Sequence, residues 1–90
     1  MATEITRDEF LERYGDVIVT FTKYHKWMFT YEAELPDGKT ISVDIGGNPD
    51  DIYRDEIKSG ESYPISGLWP TCGTVKDKAG NDCEWFFDVT

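Results

Sequence analysis

Hydrophobic and polar positions alternate along Phe29-Thr30-Tyr31-Glu32-Ala33-Glu34-Leu35 and again along Thr40-Ile41-Ser42-Val43-Asp44-Ile45, the period of strands with one buried face. Between the two runs stands Pro36-Asp37-Gly38. Proline pre-sets φ at the first turn position, and glycine supplies the positive φ that a short hairpin loop with a bulge requires. With this loop Leu35 faces Lys39, Ala33 faces Ile41, Tyr31 faces Val43 and Phe29 faces Ile45, so one face is apolar on both strands. A loop one residue shorter would set Glu34 against Ile41 and mix the faces. Pattern and turn agree on one register.

The flanking segments carry their own signals. Thr6 and Glu9 have capping-box spacing, Ile5 and Phe10 have hydrophobic-staple spacing, and Gly15 is placed to end a short N-terminal helix whose apolar stripe is Phe10, Leu11 and Tyr14. Asp16 to Lys23 alternates, with Val17, Val19 and Phe21 on the core face, and turns at Tyr24-His25-Lys26 into the strand beginning at Trp27. Ile18 and Met28 fall on the opposite face, where the N-terminal helix is expected to dock. Asn48-Pro49-Asp50-Asp51 reads as the start of a second helix running to Lys58, with an Asn cap, proline at the first position and acids in the first turn. Those acids occupy the place an anion would take, which argues against a phosphate loop at Gly46-Gly47. Ser62 to Trp69, broken by Pro64 and Gly67, reads as an edge strand. A final hairpin pairs Cys72–Asp77 with Asn81–Val89, sending Trp85, Phe87 and Val89 to one face and Phe86 to the other. The expected fold is therefore α+β in a single domain, 1–90. It has a short N-terminal helix, a three-stranded antiparallel meander, a second helix, then a strand and a β-hairpin, closing as a small half-open barrel or a two-layer sheet.

Composition changes this picture in one respect. Nine Lys and Arg stand against eighteen Asp and Glu, a formal net charge of −9, which disfavours direct contact with nucleic acid or an anionic membrane and favours basic partners. No run approaches the length of a membrane span and the first residues lack a secretory pattern, so a cytoplasmic protein is expected. Cys72 and Cys83 lie on the two arms of the last hairpin, Cys72 opposite Phe86 and Cys83 opposite Val75. The two sulfurs then point to opposite faces and are expected to be free thiols.

The candidate chemistry is sparse. His25 is the sole histidine, at an expected turn, and with Cys72 and Cys83 it lacks the close ligand pair of a zinc site. The carboxylates lie on an open sheet face where neither a glycosidase pair nor a calcium loop is formed. No catalytic residue, metal or cofactor is expected, and the chain is read as a non-enzyme. What remains is the polar face of the hairpin, carrying Glu32, Glu34 and Asp44, with Asp37 at its tip and Asp16 expected opposite Glu34. Like charges on neighbouring strands repel, so such a face is kept at a cost. Trp27, Met28 and Phe86 are candidate interface anchors. These features predict a protein-binding module that docks its carboxylate face on a basic, nucleic-acid-binding partner. It would inhibit by nucleic-acid mimicry, a strategy similar to that of anti-restriction and anti-CRISPR proteins of phages. The competing expectation is a non-catalytic assembly subunit that uses aromatic and edge-strand contacts.

Overall fold

A computed structural model describes residues 2–25, 28–46 and 61–88. Its elements are β1 (Thr3–Glu4), α1 (Arg7–Tyr14), β2 (Ile18–His25), β3 (Met28–Glu34), β4 (Thr40–Gly46), β5 (Ser62–Pro64), a 3-10 turn (Ile65–Gly67), β6 (Cys72–Lys76) and β7 (Asp82–Phe87). All described strands join one sheet of seven in the order β1-β7-β6-β4-β3-β2-β5, antiparallel except where β1 runs parallel to β7. The expectation of an α+β fold with two helices, a three-stranded meander and a separately packed hairpin is thus overturned. β6 pairs along β4 from Thr40↔Lys76 to Asp44↔Cys72, so the second hairpin extends the first instead of folding over it. β1 and β5 lie at the two edges, and the described strands close into no barrel. The second helix expected over 48–58 lies outside the described residues, as does Trp27.

The central hairpin has the register that its pattern dictates. Phe29 pairs with Ile45, Tyr31 with Val43 and Ala33 with Ile41; the loop closes through the Leu35 N–H donating to the Lys39 carbonyl at 2.7 Å, with Gly38 at φ 91°. α1 also forms as its sequence prescribes. The Glu9 amide donates to the Thr6 hydroxyl, and the Thr6 amide donates to the Glu9 carboxylate. Gly15 ends the helix in right-handed conformation rather than left-handed. Its role is close approach, because a Cβ at Gly15 would stand 2.3 Å from the Leu11 carbonyl oxygen and 3.3 Å from Ser66 Cβ, where the Gly15 carbonyl accepts from the Ser66 N–H.

One face of the sheet is the core. Val19, Phe29, Tyr31, Ile41, Val43, Val75 and Phe86 meet Ile5, Phe10 and Ile65 in one buried cluster. The helix packs on this inner face, with the Phe10 ring 4.7 Å from that of Phe86. Gly73 lets it do so, since a Cβ there would stand 2.8 Å from both rings. The expected docking of the helix on the Ile18 and Met28 side is therefore corrected: Ile18 is left 56% exposed. Phe86, expected as an interface anchor, is 1% exposed and belongs to the core, while Phe87 is 63% exposed. The last hairpin keeps the expected register next to its turn, at Lys76↔Asp82, and is offset by one place beyond it. Cys72 pairs with Phe87 and Val75 with Glu84, and a bulge follows Val75. The two cysteines are free, Cys72 in the first rung of this hairpin and Cys83 near its turn. The strand expected over Ser62–Trp69 is only β5, after which the chain enters the 3-10 turn.

Arg7 fastens the two ends of the described chain. It is 8% exposed, and its guanidinium donates to the carbonyls of Pro70 (2.9 Å) and Asp88 (2.5 Å). It also lies 3.7 Å from the Asp88 carboxylate and 4.8 Å from the centre of the Trp69 ring. A buried charge needs such compensation.

Candidate functional site

The outer face of the sheet presents the polar half of each alternation. Strand registers align its residues in rows across the sheet: Thr20, Glu32, Ser42, Thr74, Trp85 and Glu4 form one. Lys23, Thr30, Asp44, Cys72 and Phe87 form a second; Glu34, Thr40, Lys76 and Asp82 form a third. α1 and the 3-10 turn contribute Phe10 and Ile65 to the opposite, core face, so no described helix covers this one.

The five expected acids differ in their surroundings. Glu32 and Glu34 are exposed on β3, two residues apart, which sets their side chains about 7 Å apart along the strand. Neither has an ion-pair partner among the described residues. Asp37 is exposed at the turn, where its Oδ1 accepts the Lys39 N–H at 3.0 Å and its Oδ2 lies 3.7 Å from Lys39 Nζ. Asp44 is half-buried and bound into the sheet, with Oδ1 accepting from the Thr30 hydroxyl (2.6 Å) and Oδ2 from the Cys72 thiol (3.3 Å). Asp16 precedes β2, and with Thr20 paired to Glu32 it does not stand opposite Glu34. The acidic strip is thus Glu32 and Glu34, with Asp37 at one end and Asp44 one strand over. Lys76 and Lys23, brought in by β6 and β2, bound it on both sides. Met28 is half-buried in the last rung of the hairpin, opposite Gly46.

Thiol and phenol chemistry is damped. Burial, then the hydrogen bond to Asp44 and its negative charge, push the Cys72 thiol up to about 12, opposite to the direction an activated nucleophile needs. Tyr31 is also pushed up to about 12, by burial first and then by Tyr63 and Glu61. Its hydroxyl is buried without a hydrogen-bond partner among the described residues. Two open depressions lie on the described surface. One, of about 310 Å³, lies between the start of α1 and the end of β7 and is lined by Glu4, Arg7, Glu9 and Phe87 among others. The other, of about 480 Å³, lies beside the β6–β7 turn. The described residues contain no group of three or more potential metal ligands and no helix long and apolar enough to cross a membrane.

No family model, no curated protein and no solved structure matches this chain. Three surface residues escaped the sequence reading. Trp85 and Phe87 stand on the outer face and Lys76 crosses to it; their alternation was visible, but the partner strand was not.

Proposed function

We propose that this chain is a non-catalytic binding protein that docks the outer face of its sheet, led by Glu32 and Glu34, on the basic surface of a partner protein. The observation that carries this reading is the pair of exposed carboxylates repeated on one strand of a pleated face that no described helix covers. Their cross-strand neighbours are the uncharged Thr20, Ser42 and Thr40, so neither carboxylate is neutralised within the described sheet and both stay open to a cationic partner. Electrostatic complementarity speeds association and makes it sensitive to salt. Where the partner's basic surface is a nucleic-acid site, the carboxylates stand in for phosphates, and the outcome is competitive inhibition of nucleic-acid binding. The two free thiols suit a reducing compartment, which favours the cytoplasm as its place of action.

The experiment is retention of partners from lysate at low and high salt by the native chain and by a Glu32→Gln, Glu34→Gln, Asp44→Asn variant. The reading expects the native chain to hold a nucleic-acid-binding protein at low salt, the variant to lose it, and added DNA or RNA to displace it. Equal retention by both chains at every salt concentration contradicts it. That outcome would favour an assembly subunit, a reading supported by the exposure of Ile18, Trp69 and Phe87.

A further inference from the structure

The outer face ends on β7 in two aromatic side chains. Trp85 is half-buried and Phe87 exposed, two residues apart on the same side of the sheet. One carboxylate adjoins them and a second lies two strands away. Glu4 on β1 is the register partner of Trp85 and is exposed, with no ion-pair partner among the described residues; Asp44 shares the row of Phe87 across β6. From β7 to the acidic strip on β3 is three strand spacings, about 14 Å, within the reach of one standard interface.

An aromatic face beside a carboxylate suits one cation better than others. The guanidinium is planar and weakly hydrated, stacks on a ring, and still presents N–H groups in its plane to a carboxylate. An ammonium is a compact, strongly hydrated point charge. The molecule builds one such arrangement internally a few residues away: the Arg7 guanidinium lies over Trp69 while paired with Asp88. Trp69 is held there with φ 51°, an unusual conformation for a bulky residue and more so before proline.

Resting on the docking reading above, we infer that the Trp85–Phe87 end of the face receives arginine side chains of the basic partner, so that the protein selects arginine-bearing surfaces over lysine-bearing ones. Octa-arginine and octa-lysine serve as probes of equal charge, titrated at low salt into the native chain, Phe87→Leu and Glu32→Gln/Glu34→Gln. Phe87→Leu keeps the exposed apolar area and removes the π face, and an exposed site tolerates it. The native chain is expected to bind octa-arginine about three- to fivefold more tightly than octa-lysine, the scale of one exposed cation–π contact. Phe87→Leu should reduce that ratio, while Glu32→Gln/Glu34→Gln weakens both peptides and preserves it. Equal binding of the two peptides by the native chain, or an unchanged preference in Phe87→Leu, overturns the inference and leaves the acidic-strip reading standing. Failure of both peptides to bind the native chain overturns both.

Discussion

At the scale of the residue, Tyr31 is the point where core and chemistry conflict. Its ring fills the inner face, 5.5 Å from Phe21 and 6.1 Å from Tyr63, but its hydroxyl finds no partner among the described residues. A buried, unsatisfied hydroxyl costs about 1 to 3 kcal/mol, so Tyr31→Phe is expected to raise stability by about 1 kcal/mol in urea denaturation, against the usual direction for a core substitution. Cys72 and Tyr31 also set an alkaline limit. Both hold their protons more tightly folded than unfolded, so the stability they contribute is complete below the ordinary thiol value of 9.0 and is lost as pH rises toward about 12. A denaturation series from pH 8 to pH 12 should show this fall. Iodoacetamide at pH 8 should modify Cys72 only as the chain unfolds. The Thr6 cap was legible in the sequence because its partner, Glu9, lies within the same turn. The environment of Tyr31 was not, because Tyr63 and Glu61 reach it from β5 and the residue preceding it.

At the scale of the element, local information was decisive where a turn fixed the register. The β3–β4 hairpin could be read because Pro36-Asp37-Gly38 and two alternating runs specify one another. The β6–β7 register was displaced by one place, because the bulge between Val75 and Lys76 consumes a residue that alternation does not announce. Exchanging Phe86 for Phe87 as the exposed ring follows from that displacement, since one place in register reverses every side chain. β4–β6 pairing was not legible at all; it joins strands distant in sequence and depends on packing. α1 is likewise specified locally and placed remotely, by Phe10 against Gly73 and Phe86, by Arg13 and Tyr14 bonded to Glu84, and by Arg7. Arg7→Ala leaves the Pro70 and Asp88 carbonyls without their charged donor. It should cost about 2 to 3 kcal/mol, with loss of the near-ultraviolet signal of Trp69 ahead of far-ultraviolet change in thermal melts.

For the whole molecule, charge and sheet topology act together. A net charge of −9 on a chain this small acts at long range, but only a face that concentrates it gives direction to binding. The proposed docking rests on a sheet that faces its described helix inward and leaves Glu32 and Glu34 outward. The acidic excess and the alternation were legible; the breadth of the face was not, since Lys23, Lys76, Trp85 and Phe87 join it only through strand pairing. The most direct measurement is a titration of the nitrogen-15-labelled chain with octa-lysine at low salt, following every amide signal. Concentration of the shift changes at Glu32, Glu34, Thr40 and Ser42, shrinking as salt is added, is the predicted result. Changes centred on the acids of α1 at Asp8, Glu9 and Glu12, or spread evenly over the surface, would contradict a docking role for the outer face.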